Sequence, residues 1–180
     1  MQIQKKQPNK EIAKPYKELL ERISRKYIEG QAQAVRSVNE TIVETNWQIG
    51  KYIVEYEQGG NPKAKYGAKL LENLAQDLTL LHGRGFSRPN LNNMRQFYLR
   101  FPICQTLSDK LSWSHYCELI KISDDIERSF YFKQNILDNW SVHELKRQMD
   151  SGLFLRLALS KDKNEIMKLS KHGQIIQLEK

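Results

Sequence analysis

Apolar positions recur along this chain at intervals of three and four, the spacing that lines one face of a helix. Tyr16, Leu19, Leu20, Ile23 and Tyr27 follow Pro15 in this way, and they predict a first helix ending at Gly30. A second helix is expected from Gln31 to about Gln58, roughly 40 Å long. It carries two stripes: Val35, Val38, Ile42, Ile49, Tyr52 and Tyr56 on one side, and Val43, Trp47, Gly50 and Val54 on another. Two stripes imply two neighbours, so this helix reads as a scaffold for the domain or for a homodimer. Gly59-Gly60-Asn61-Pro62 ends it. Leu70, Leu71, Leu74, Leu78 and Leu81 place the next helix at about Lys65 to Leu81, broken by His82-Gly83-Arg84-Gly85.

Ser87 then offers a hydroxyl to the N-terminus of a further helix, Pro89 fits only its first turn, and Pro102 stops it. Beyond Pro102, Ile103 to Leu111 reads as a linker, strand or turn. Helices are expected from Ser112 to near Ile122 and from Ser123-Asp124-Asp125 through Leu137. Ser141 with Glu144 three positions on forms a capping box and starts another, reaching about Ser151-Gly152. Leu153 to Leu159 adds an apolar turn or two, and Asp162 to Lys171 a last amphipathic helix. With no repeat and no alternating strand pattern, the expected fold is all-α: a multi-helix domain with one long scaffold helix and a helix-turn-helix-like unit.

That unit is where the polar positions become informative. On the helix after Ser87, Leu91, Met94, Tyr98 and Phe101 share one side. Arg88, Asn92, Gln96 and Arg100 form the other, with Arg95 beside them. Arginine, asparagine and glutamine can make paired hydrogen bonds to guanine and adenine edges in the major groove. Arg88, Asn92 and Gln96 are therefore candidates to face bases, and Arg84, Arg95 and Arg100 to hold phosphates, with Asn90 and Asn93 as neutral donors. Arg95, close to the apolar stripe, could instead be an ion-pair partner.

Charge sharpens this picture. The 180 residues carry a formal net charge of +8, with 39% hydrophobic residues, and the mean hydropathy is −0.67. A basic chain favours a polyanionic partner, nucleic acid first. No Asp or Glu occurs between Asp77 and Asp109, a gap that holds Arg84, Arg88, Arg95 and Arg100. The lysine-rich start lacks the apolar core of a signal peptide, and no apolar run approaches the ~20 residues of a membrane span. Two cysteines, Cys104 and Cys117, lack metal-site spacing, so a reduced, cytoplasmic setting without cofactor or structural metal is expected.

Other chemistry is weaker. Asp138 and Glu144-Leu145-Lys146 imitate the letters of a metal-dependent nuclease, but Glu144 is better explained as a capping partner, and no strand pattern surrounds it. His82, His115, His143 and His172 lie on separate segments without ligand spacing, and Trp47, Trp113 and Trp140 sit within apolar patterns as core anchors. No catalytic residue is nominated.

Several motifs in one order carry a family resemblance: Asn46-Trp47-Gln48-Ile49-Gly50-Lys51, Tyr66-Gly67-Ala68-Lys69-Leu70-Leu71, Gly83-Arg84-Gly85-Phe86-Ser87, Met94-Arg95-Gln96-Phe97-Tyr98, Leu111-Ser112-Trp113-Ser114-His115-Tyr116 and Asn139-Trp140-Ser141-Val142. From about residue 20 to 175 the chain resembles the N-terminal domain of YhcG-like bacterial proteins. In that family a C-terminal domain similar to PD-(D/E)xK nucleases follows, and the N-terminal domain is regarded as a helical DNA-binding or assembly module. Residues 1–12, polar and lysine-rich, read as a disordered tail, and the resemblance implies the helical domain over 13–160 and a helix or linker over 161–180 leading to a nuclease domain beyond this chain. The expected function is non-catalytic binding of duplex or branched DNA. The alternative is an interaction module that dimerises or docks the nuclease without touching DNA.

Overall fold

The computed structural model describes residues 14–59, 69–103, 108, 110–159 and 162–173. Among these, eight helices and no strand are present: α1 (Lys14–Gln58), α2 (Leu70–His82), α3 (Arg88–Arg100), α4 (Trp113–Leu119), α5 (Asp125–Asp138), α6 (Val142–Asp150), α7 (Leu153–Ala158) and α8 (Lys163–His172). The fold is all-α. The expected tail over 1–12, the start of a helix at Lys65 and most of the Ile103–Leu111 connection lie outside the described residues.

Short polar side chains begin most of these helices. Ser87 Oγ accepts from the Asn90 N–H, Asp124 Oδ1 from Glu127, Ser141 Oγ from Glu144 and Asp162 Oδ1 from Glu165. Each satisfies a donor that the first turn leaves open. At α8 the Glu165 carboxylate also accepts from the Asp162 N–H, completing the reciprocal box. At α6 only Ser141 follows the expected pattern. Glu144 turns its carboxylate to Arg147 (2.7 and 2.9 Å) and Gln148 (2.6 Å) instead.

The two helices expected on either side of Gly30 are one. α1 runs unbroken for 45 residues. A lone glycine costs only about 1 kcal/mol relative to alanine in a helix, and Gln31, Ala32, Gln33 and Ala34 directly after it are helix formers. Without a proline or a left-handed residue behind it, Gly30 does not stop the helix.

The chain forms two compact units, Met1–Ser37 and Val38–Lys180. In the first, the described residues are all helix, and Tyr16, Leu19, Leu20, Ile23, Tyr27, Ile28 and Val35 are exposed. The second holds the core. Of the two stripes expected on the scaffold helix, one is covered: Val43, Trp47, Gly50 and Val54 are buried, joined by Asn46 and Ile53. The other is not, with Val38, Ile42, Tyr52 and Tyr56 exposed and Ile49 half-buried.

Two apolar clusters make the core, and α3 belongs to both. Leu91 and Met94 pack with Ile53 and Leu70 in the smaller one. Phe97 enters the larger, an aromatic assembly with Tyr116, Phe130, Tyr131 and Leu145. Its ring stands 4.7 Å from Tyr116 and 5.3 Å from Trp113, the offset and edge geometries that aromatic quadrupoles favour. At its N-terminal half α3 touches α1 through Gly50, where a Cβ would lie 2.0 Å from the Met94 carbonyl oxygen. At its end the Trp47 indole N–H donates to the Phe101 carbonyl at 2.6 Å. On the far side of the unit α8 lies against α5, with Leu169 and Ser170 buried and Ser129 Oγ donating to the Ser170 carbonyl.

Candidate nucleic-acid interface

Five residues join α2 to α3. Gly83 (φ 82°) and Gly85 (φ 121°) occupy backbone conformations that side-chain-bearing residues rarely adopt, so the chain turns sharply enough for Ser87 to cap the next helix. Phe86 folds back onto the smaller cluster and stacks near His82, 5.9 Å between rings. The turn is longer than the three or four residues usual in a helix-turn-helix. Pro89 in the first turn of α3 and Phe101 after its last residue match the expected limits.

α3 is held at both ends, and several of the expected contact residues do the holding. Asn90 uses both ends of its amide, donating to the Gly85 carbonyl at 2.6 Å and accepting from the Trp113 indole at 3.1 Å. It ties the turn to α4. Asn93 donates to Cys117 Sγ at 3.8 Å, and burial pushes that thiol up to about 11. Arg95 Nε donates to Glu57 on α1 at 2.7 Å, the ion-pair alternative for this residue, with both side chains only about a quarter exposed (29% and 26%). Arg100 donates to the Ile122 carbonyl, which Arg128 also engages at 2.9 Å; Arg128 in turn pairs with Asp125 and lies over the Phe101 ring.

A second set is left free. Arg84, Arg88 and Asn92 are exposed and Gln96 is half-buried. None of these four makes a hydrogen bond or ion pair among the described residues. Arg88, Asn92 and Gln96 follow one another at four-residue steps, and Arg84 stands in the turn before them. The strip starts at the amino end of the helix, where the backbone dipole favours an anion beside Arg84 and Arg88, and runs along its length. It contains one apolar member, Leu99, which is 45% exposed. Leu99 falls three residues after Gln96 and seven after Asn92, so its spacing placed it on this side; only its apolar character hid it.

Nearby polar groups serve the scaffold. His115 Nδ1 accepts from the Ser112 N–H at 3.1 Å, and Nε2 lies 3.1 Å from the Trp140 carbonyl. One ring nitrogen must accept while the other donates, so the site needs neutral imidazole. Burial accordingly holds His115 below the usual histidine value, against the opposing effect of the Trp140 carbonyl. Tyr131, buried and pushed up in pKa, donates to the Gln148 carbonyl and accepts from the Phe154 N–H. Among the described residues no three His, Cys, Asp or Glu side chains gather as a metal site would require. Glu144 and Lys146, read from sequence as nuclease-like letters, stand on a helix, with the Glu144 carboxylate engaged by Arg147 and Gln148.

No described helix is long and apolar enough to cross a membrane. No solved structure matches the chain. A curated relative from Escherichia coli (strain K12), named "Putative nuclease YhcG", is 37% identical, in a match covering 76% of this chain and 45% of the relative. The chain therefore spans less than half of that relative's length. The family described as "DUF1016 N-terminal domain" matches residues 21–156. With that match running from within α1 to α7, the chain belongs to the DUF1016 N-terminal domain family, the YhcG-like group.

Proposed function

We propose that this chain is a non-catalytic DNA-binding module that sets a nuclease domain on duplex or branched DNA. The observation that carries the reading is the strip of Arg84, Arg88, Asn92 and Gln96. All four are unpartnered among the described residues; Arg84 in the turn and Arg88 and Asn92 on the helix are exposed, Gln96 is half-buried, and the helix is anchored at both ends. Arg84 and Arg88 bring charge to phosphates, Arg88 from the first position of α3 instead of facing a base as its spacing suggests, while Asn92 and Gln96 present the paired donor and acceptor that reads adenine. Leu99 offers an apolar contact of the kind a thymine methyl takes. Of the eight residues nominated from sequence, Asn90, Asn93, Arg95 and Arg100 act in this proposal as supports. The name of the Escherichia coli relative, "Putative nuclease YhcG", is in keeping with a nuclease partner.

The test is fluorescence anisotropy of the purified chain with duplex, four-way branched and single-stranded DNA across a salt series. The wild-type chain should bind duplex or branched DNA with an affinity that falls steeply with salt. Arg88→Ala together with Gln96→Ala should weaken binding by about tenfold or more, and lower the salt slope by about one, with the circular dichroism spectrum unchanged. Equal affinity of the variant at matched salt refutes the assignment. A second reading, an assembly module that docks a nuclease domain without touching DNA, is favoured by the uncovered apolar residues of α1. It predicts no salt-dependent retention of any of the three DNAs.

A further inference from the structure

We infer that the Met1–Ser37 unit pairs with the same unit of a second copy of this chain, antiparallel, about a two-fold axis at Tyr27. Such pairing is independent of the DNA reading. Every described residue of this unit belongs to one stretch of helix, and Tyr16, Leu19, Leu20, Ile23, Tyr27, Ile28 and Val35 are 48% to 66% exposed. Most of the stability of a helix in a protein comes from packing an apolar face, and no described residue covers this one. Tyr16, Leu20, Ile23, Tyr27, Gln31 and Ala34 follow in steps of three and four without a charge among them. The charged residues Lys17, Glu18, Glu21, Arg22, Arg25, Lys26 and Glu29 fall off that line. The neutral line is what a water-excluding contact requires.

Area and spacing both select the occupant. The four large side chains on this line, Tyr16, Leu20, Ile23 and Tyr27, with Leu19 and Val35 at its two edges, are each about half exposed and offer on the order of 700 Å² per chain, close to the share each partner gives to a standard interface. Counted outward from Tyr27, Ile23 and Gln31 stand at equal distances, as do Leu20 and Ala34, and Leu19 and Val35. A line of neutral positions spaced equally on either side of one residue can meet a copy of itself turned end for end, the isologous contact of a two-fold dimer. Turned this way, Leu20 lies against Ala34 and Ile23 against Gln31, large against smaller, so the two surfaces interdigitate. Parallel pairing would set Leu20 on Leu20 and Ala34 on Ala34, leaving the seam wide at one end and narrow at the other. At the centre Gln31 Nε2 donates to the Tyr27 hydroxyl at 3.0 Å. A polar pair in the middle of an apolar seam is the device by which paired helices fix their register.

Sedimentation velocity on the full chain from about 1 to 100 μM, alone and as Leu20→Glu with Ile23→Glu, tests the pairing. The wild type should run as a dimer at the upper concentrations. The double variant should raise the dimer dissociation constant by about a hundredfold or more, since carboxylates would be buried unpaired. Both side chains are exposed in the single chain, so the Val38–Lys180 unit keeps its fold and its unfolding midpoint. A wild type that stays monomeric throughout, or a double variant that dimerises as well as wild type, overturns the inference. Orientation is read by mixing Leu20→Cys and Ala34→Cys chains, each also carrying Cys104→Ser and Cys117→Ser, under mild oxidation. Crosslinks between the two different variants are expected, and Leu20→Cys chains linking only to themselves overturn the antiparallel register.

Discussion

Substituting Gly50 by alanine adds one methyl group at the closest approach of α1 and α3. The new Cβ would stand 2.0 Å from the Met94 carbonyl oxygen, 2.7 Å from its carbon and 3.2 Å from Tyr98 Cβ. Ordinary contacts of this kind begin near 3.4 Å. The nearest obstacles are backbone atoms within a helix, so no side-chain rotation relieves them. The helices must separate, opening the packing of Leu91, Met94 and Ile53 and stretching the Trp47–Phe101 hydrogen bond. Overpacking of this sort costs about 3 kcal/mol, and alanine's better helix propensity returns about 1 kcal/mol. The net loss of about 2 kcal/mol corresponds to a fall of roughly 4–8 °C in the melting temperature of a domain this size. Urea unfolding followed by tryptophan fluorescence measures it, since Trp47 lies one turn from the substitution. Gly30→Ala is the matched control: it is the same exchange in the same helix, with nothing within 4 Å of the added carbon. It should leave helicity equal or higher. If Gly50→Ala proved as stable as wild type, the close approach of the two helices would be refuted and propensity alone would decide.

Two further measurements separate the supports from the proposed contacts. Arg100→Ala should destabilise the chain by about 1–3 kcal/mol, through loss of a charged hydrogen bond to the Ile122 carbonyl. Arg88→Ala, with no partner among the described residues, should stay within about 0.5 kcal/mol of wild type; equal effects in thermal unfolding would contradict this division. His115 gives a pH signature. Because the fold lowers its pKa, the unfolded chain binds the extra proton first as pH falls. The stability it contributes is complete above the ordinary histidine value of 6.5 and is lost as pH drops below it. The urea midpoint should therefore decline between about pH 7 and pH 5, and less steeply in His115→Gln; identical slopes would remove His115 as the cause.

The local structure was legible where a short-range signal decided it. Ser87, Asp124, Ser141 and Asp162 each begin a helix because one side chain reaches an N–H three residues on, a distance a sequence window contains. Gly30 misled because glycine's cost is small beside the propensity of its neighbours, and only a following proline or left-handed residue would have made it a stop. Phe97, fully buried, lies off the single stripe that spacing marks on α3, because the helix feeds two clusters and needs a wider apolar surface. The candidate strip was half legible. Its residue types and the absence of nearby acids could be read directly, but Arg95 finds its acid 38 residues earlier in the chain. Asn90 meets Trp113, and Arg100 meets Ile122, across 23 and 22 residues. Which arginines are free is a property of the tertiary fold, and local charge pattern does not contain it.

The hydrogen bond from Trp47 to the Phe101 carbonyl spans 54 residues of chain. Closing a loop of that length costs on the order of 3.5 kcal/mol of chain entropy, several times what one such bond returns. The packing at Gly50 closes nearly the same loop while burying Met94 and Ile53, so the two contacts share one closure cost and the bond adds its gain to helices already held together. Where the helices touch therefore decides whether a hydrogen bond three residues away returns anything at all.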